Sequence, residues 1–131
     1  MHMLSAIRAG RSKFHIDVGC GSGVACLALS KLCNPGATII GVDNSDKMVH
    51  HAIERFRRSG FQRNEANSLY GCHEAVEHNA DLFPESKGVH AKFYVGDAMS
   101  LKFEDNSFDS YISALVIMHV PDPSKLVSEA Y

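Results

Sequence analysis

Phe14-His15-Ile16-Asp17-Val18-Gly19-Cys20-Gly21-Ser22-Gly23 is the stretch on which the fold turns. A short, mostly apolar run breaks into glycines at alternate positions, as a buried parallel strand does where it turns sharply at its carboxyl end. Glycine permits that turn and lets a ligand approach the backbone closely. Val24, Leu27, Ala28 and Leu32 then recur at helical spacing, and Asn34-Pro35-Gly36 stops the helix. Thr38-Ile39-Ile40-Gly41-Val42 reads as a second buried strand ending at Asp43. Asn44 or Ser45 caps a second helix, which carries Met48, Val49, Ala52, Ile53 and Phe56 on one face and has Gly60 past its end. A strand-helix-strand-helix unit of this kind predicts an α/β fold built on a parallel sheet.

Downstream, Ala91-Lys92-Phe93-Tyr94-Val95 predicts a third strand ending at Gly96-Asp97-Ala98. Residues 108–118 hold a fourth, strongly apolar strand after the turn Glu104-Asp105-Asn106-Ser107. Pro121-Asp122-Pro123-Ser124 opens a further helix, with Leu126 and Val127 expected on its apolar side. Between the second helix and the third strand lies an irregular insertion, about residues 61–88, with room for a short helix over Leu69 to Leu82. It is longer than the usual connection, so it is either a functional loop or a lineage-specific insertion. The pattern has no internal repeat, and residues 1–131 are expected to form a single, partial domain.

The composition excludes several classes. The 131 residues are 45% hydrophobic and 21% charged, ordinary for a globular protein. A formal charge of -2 gives no general reason to expect nucleic acid or an anionic membrane. No apolar run is long enough to span a bilayer, and the start lacks a signal-peptide pattern. Cys20, Cys26, Cys33 and Cys72 match neither a disulfide framework nor a zinc pattern. They read as free thiols in a reducing compartment, with the cytoplasm as the expected location. Arg55, Arg57 and Arg58 read as solvated charge at a helix end, and His50-His51 as part of a solvated face. Cys72, His73 and His78 share the irregular stretch, but no second cluster has matching spacing, so no metal is expected. Asp105 and Asp109 read as a turn residue and a strand-start residue.

A strand, a glycine turn and a helix together present unpaired backbone N–H groups to a ligand. Asp43 stands 20 residues beyond Gly23, at the end of the next strand, where a carboxylate accepts hydrogen bonds from both ribose hydroxyls. The spacing Gly19-x-Gly21-x-Gly23, with Val24 following, departs from the dinucleotide fingerprint. Asp17, two residues before the first glycine, would repel a pyrophosphate and attract a cationic aminoacyl group. That sign favours a sulfonium-bearing nucleoside with an amino-acid tail over NAD.

Ile16-Asp17-Val18-Gly19-Cys20-Gly21-Ser22-Gly23 resembles the first motif of class I S-adenosylmethionine-dependent methyltransferases. Ile40-Gly41-Val42-Asp43-Asn44-Ser45 is similar to their second-strand acidic motif, Gly96-Asp97-Ala98 to their adenine-contacting motif, and Phe108-Asp109-Ser110-Tyr111-Ile112-Ser113 to their fourth-strand motif. His119-Val120-Pro121-Asp122 and the residues after it resemble the segment leading toward the family's fifth strand. The resemblance implies a Rossmann-like three-layer sandwich with a parallel sheet of order 3-2-1-4. It implies too that the chain is truncated after the fourth strand and lacks the C-terminal strands of the family's seven-stranded sheet. The fourth strand is then an exposed apolar edge, which invites self-association or a partner chain.

The family also implies roles. Gly19, Gly21 and Gly23, with Cys20 between them, would shape the turn around the methionine moiety, and Asp17 would lie near its amino group. Asp43 would hold the ribose hydroxyls, with Asn44 or Met48 flanking ribose and adenine. Asp97 would bind the adenine amino group beside the backbone of Ala98, and the backbone at Ser113 and Ala114 would close the site beneath the methionine. Transfer would be in-line attack by a small-molecule acceptor on the sulfonium methyl, with His119 the candidate general base. Cys26 resembles a thiol of arsenite methyltransferases, but a second thiol is needed after the fourth strand, where Leu115 stands, so Cys26 reads as a small buried hydrophobe. Two alternatives stay open: a non-catalytic S-adenosylmethionine-binding module needing a partner chain, and an NAD-dependent oxidoreductase half-domain.

Overall fold

The computed structural model describes residues 12–63, 80–84, 88–114, 116 and 119–130. Among these described residues, six strands form one sheet: β1 (Phe14–Val18), β2 (Thr38–Asp43), β3 (Phe61–Arg63), β4 (Ala80–Pro84), β5 (His90–Val95) and β6 (Ser110–Ile112), in the order β3-β4-β5-β2-β1-β6. The described residues also hold the helices α1 (Val24–Leu32), α2 (Asp46–Arg58) and α3 (Pro123–Glu129). Strands β5, β2, β1 and β6 are mutually parallel, with Ile16 level with Ile40 and with Tyr111, and Ile40 level with Lys92. In order of appearance those are the third, second, first and fourth of the expected strands, so the order 3-2-1-4 holds.

The parallel strands are buried on both faces, as crossover helices require. Alternation along β1 and β2 divides the apolar residues between two cores. One holds Cys26 and Leu29 of α1, Val49, Ala52, Ile53 and Phe56 of α2, and Ile39, Ala91 and Phe93 of the sheet. The other holds Ile16, Val18, Ile40 and Val42 against Leu126 of α3, with Tyr94, Phe103, Phe108 and Val116 around them. Helix α2 starts where Ser45 Oγ accepts the Met48 N–H at 3.3 Å, and it carries Asp46 in its first turn and three arginines in its last, complementing the helix dipole.

Three expectations are corrected. The 61–88 stretch contributes two strands, β3 and β4, which extend the sheet antiparallel beyond β5. Positions 80–82, offered above as part of a short helix, lie in β4, and positions 69–79 lie outside the described residues. An unpaired β5 edge would expose a row of backbone donors and acceptors, and β4 satisfies them. Phe61 anchors the far strand on the Phe56 ring, centroid to centroid 4.6 Å at 65°. The fourth expected strand takes the sheet edge as expected, but it spans only Ser110–Ile112 of the 108–118 stretch, of which positions 115, 117 and 118 lie outside the described residues. Val127 is 48% exposed while Leu126 is buried, because the short α3 meets the sheet along one narrow stripe.

Candidate functional site

Each parallel strand ends at the same margin of the sheet, and each end carries one part of the site. From β1 comes the glycine turn, from β2 Asp43, from β5 Gly96 and Asp97, and from β6 the segment after Ile112. These ends enclose a cleft of about 340 Å³, within the range of roughly 300–1,000 Å³ usual for small-molecule sites. Open α/β sheets bind ligands in this crevice outside the carboxyl ends of the strands.

Asp43 is fixed from two sides. Its Oδ2 accepts the Gly21 N–H and its Oδ1 the Ser45 N–H, both at 2.9 Å. Each oxygen keeps a second lone pair, so the carboxylate can still receive a pair of vicinal hydroxyls. Its backbone carbonyl accepts the Gly96 N–H at 2.9 Å, tying the end of β5 to the end of β2. Asp97 follows at once, its Oδ1 accepting the Met99 N–H at 2.9 Å in a local turn. The Val42 carbonyl takes the N–H groups of Gly19 (2.7 Å) and Cys20 (3.0 Å), which pins the turn against β2.

Gly19 has φ +74°, and a Cβ there would lie 2.0 Å from Val116 Cγ2, so the turn and the segment after β6 touch only because the residue is glycine. Gly23 packs on Ala52 of α2. Arg55 of α2 reaches the turn as well, its Nε donating to the Ser22 carbonyl at 2.8 Å. The arginine cluster, read from sequence as solvated charge, therefore includes one side chain that holds the glycine turn. Arg57 pairs with Glu54 at 3.0 Å.

Among the expected site residues, Gly19, Asp43, Asn44, Asp97, Ala98, Ala114 and His119 line the cleft. Gly21 and Gly23 stand behind it in the turn. Cys20 is buried beneath the turn, its thiol toward the Gly21 carbonyl at 3.6 Å. Met48 is 38% exposed on α2 and does not line the cleft, and neither does Ser113, whose Oγ is buried without a hydrogen-bond partner among the described residues. His119 is exposed at the rim, its N–H bonded to the Val116 carbonyl at 2.8 Å. Sequence reasoning missed Val42, Gly96, Met99, Val116, Val120 and Pro121 as lining residues. Gly96 was legible from its place beside Asp97; Val116 and Val120 carry no signal beyond apolarity.

Asp17 is only 2% exposed. Burial pushes its carboxyl up to about 6, opposed by a hydrogen bond from the Cys26 thiol at 3.3 Å and reinforced by the Asp43 charge. His15, two residues earlier, is fully buried with Nδ1 2.6 Å from Ser110 Oγ, and burial pushes its pKa down. Asp109 does what a strand-start residue does. Its Oδ2 accepts the N–H groups of Phe14 (2.9 Å) and Lys13 (2.8 Å), and those bonds hold its carboxyl below the usual range. No group of three or more His, Cys, Asp or Glu able to hold a metal ion occurs among the described residues, and Cys72, His73 and His78 lie outside them.

The profile of a family described as "Methyltransferase domain" matches residues 16–131. The chain is 30% identical over 128 residues to an uncharacterized 37.1 kDa protein in transposon TN4556 of Streptomyces fradiae, covering 98% of this chain and 29% of that protein. It is 28% identical over 125 residues to the demethylmenaquinone methyltransferase of Lactobacillus johnsonii, covering 95% of this chain and 40% of the relative. The crystal structure of a SAM dependent methyltransferase from Aquifex aeolicus is alike in fold, with a TM-score of 0.68 at 18% identity, covering 98% of this chain and 54% of that one. The chain thus spans less than half the length of these two curated relatives.

Proposed function

The chain belongs to the methyltransferase domain family, and on that premise we propose that its cleft binds S-adenosylmethionine and that the protein transfers a methyl group from it to a small-molecule acceptor. The observation that carries this reading is the meeting of Asp43 and Asp97 in one cleft whose wall includes the backbone of Gly19. Asp43, oriented by two N–H groups and with lone pairs to spare, suits the ribose hydroxyls. Asp97 suits the adenine amino group, with Ala98 beside it and Asn44 flanking the ribose. Asp17, beneath the turn, provides the negative field that a cationic aminoacyl tail needs. Gly21, Gly23, Cys20, Met48 and Ser113 act behind the lining by shaping the turn, the start of α2 and the segment after β6, and Ala114 closes the methionine end.

Bound there, S-adenosylmethionine supplies an electrophilic methyl group. The protein's own part is alignment and exclusion of water, with Val116, Val120 and Pro121 forming an apolar wall. His119, at the rim of the same cleft, is placed to accept a proton from an acceptor that carries one. The demethylmenaquinone methyltransferase relative supports a small metabolite as acceptor.

Isothermal calorimetry tests the cofactor: S-adenosylmethionine should bind and NAD should not, and tighter binding of NAD would overturn the reading. Asp43→Ala should weaken S-adenosylmethionine by about 2 kcal/mol, roughly 30-fold, through loss of charge-assisted contacts. Turnover by this chain alone, on any acceptor, separates an enzyme from a non-catalytic binding module. The short β6 edge is where we place a partner chain or second copy. Cys20, Cys26 and Cys33 are free thiols, which supports a reducing compartment and hence the cytoplasm. Among the described residues, no helix is long and apolar enough to cross a membrane.

A further inference from the structure

Resting on the reading of the cleft as an S-adenosylmethionine site, we propose that Cys26 is a positioning residue for cofactor binding: its thiol holds the Asp17 carboxylate, ionised and in place, for the ammonium end of the cofactor. A buried carboxylate needs donors to remain charged near neutral pH. Asp17 sits at the end of β1, just before the glycine turn, and Cys26 Sγ approaches its Oδ2 at 3.3 Å from the first turn of α1. Cys26 is 0% exposed, so solvent does not compete for that bond. Cys20 packs beside Cys26 and directs its own thiol to the Gly21 carbonyl. The two sulfurs thus run from the acid to the backbone of the glycine turn, coupling the carboxylate's placement to the turn's shape. Cys20, burial and the Asp17 charge together hold the Cys26 thiol well above its ordinary range, so it keeps the proton it donates. This role differs from that of an inert hydrophobe, the sequence expectation for the same residue.

Among the described residues, the titratable and charged groups facing Asp17 are few. Cys26 comes from α1, Cys20 from the turn, Asp43 from the end of β2 and Tyr111 from β6, with His15 two residues back on the same strand. Asp43 opposes ionisation of Asp17, and Cys26 favours it. The geometry therefore predicts a specific pH signature in binding.

The test is calorimetric titration from pH 5 to 8 of wild type, Cys26→Ala, Cys26→Val and Cys26→Ser, each with S-adenosylmethionine and with 5′-methylthioadenosine, which has no amino-acid tail. Wild type should bind S-adenosylmethionine more weakly as pH falls through 6, while 5′-methylthioadenosine stays level. Cys26→Ala and Cys26→Val, which lack a donor, should move that acid limb up by roughly half to one pH unit and weaken S-adenosylmethionine several-fold at pH 6.5. Cys26→Ser, with a stronger donor, should restore the limb or move it lower. Should alanine prevent folding, the valine and serine variants make the comparison at nearly constant volume. An acid limb unmoved in the valine variant, or an equal loss for both ligands, overturns the role of Cys26. A wild type that binds neither ligand at any pH removes the cofactor reading itself, and the inference with it.

Discussion

Asp17→Asn should make the protein more stable at pH 8, by about 3 kcal/mol, while impairing binding of S-adenosylmethionine. The folded carboxyl titrates at about 6, against 3.8 for the unperturbed group, mainly because the side chain is buried. Between those values the folded chain holds a proton that the unfolded chain has released. Stability from this group is therefore greatest on the acid side, falls as pH rises from about 4 to 6, and is fully lost above that window. Asparagine is neutral throughout, and its amide oxygen can still accept from Cys26. Urea denaturation of both proteins at pH 8, 6 and 4 should show the variant's advantage shrinking toward the acid end. His15 acts in the opposite sense: its pKa is lowered by burial, so its contribution is lost as pH falls below about 6.5. Only the difference between variant and wild type isolates Asp17. A gap that is absent at pH 8, or that does not change with pH, would refute the account. Retaining a destabilising buried acid beside the cofactor cleft is intelligible if a cation arrives to meet it.

Gly19→Ala is expected to be the most damaging single change in the turn. An L-residue at φ +74° is strained, and the added Cβ would overlap Val116 Cγ2 at 2.0 Å. Together these should cost about 3 kcal/mol of stability. Val116 must also retreat, and since it lines the cleft, cofactor affinity should fall as well. Two companions separate the causes. Gly21→Ala has φ +53° but no atom within 4 Å of its added Cβ, so it should show only the backbone share, about 1 kcal/mol. The double variant Gly19→Ala with Val116→Ala should recover the steric share and leave the backbone share in place. Thermal unfolding checks the first effect and calorimetry the second. If Gly19→Ala and Gly21→Ala were equally mild, the contact between the turn and the segment after β6 would not exist in solution.

The legibility of this molecule tracks sequence separation. β1, β2 and α2 were readable because strand burial, glycine turns and helical apolar spacing are local properties, and Ser45 caps α2 within one turn; α1 was readable as a helix, but it buries Cys26 and Leu29 rather than Val24 and Leu32 of the expected apolar row. Asp43 was readable because the length of a helix and a strand fixes where the second strand ends. The β3–β4 pair was not, since it depends on the unpaired edge of β5 and on the Phe56 ring accepting Phe61. The arginine cluster looked uniform along the helix. Only packing of α2 against the turn singles out Arg55 as the side chain that reaches Ser22.

Ile16–Gly23 specifies a strand that ends in a left-handed turn, with Asp17 before it and Asp43 at the end of the next strand. Those follow from residue type and spacing. The surroundings of those carboxylates come only from the fold. It buried Asp17 against Cys26, left Asp43 with both oxygens anchored and lone pairs free, and set Val116 where the first glycine has no side chain. Desolvation, hydrogen-bond donation and steric contact are properties of neighbours in space, and here those neighbours come from different strands and helices.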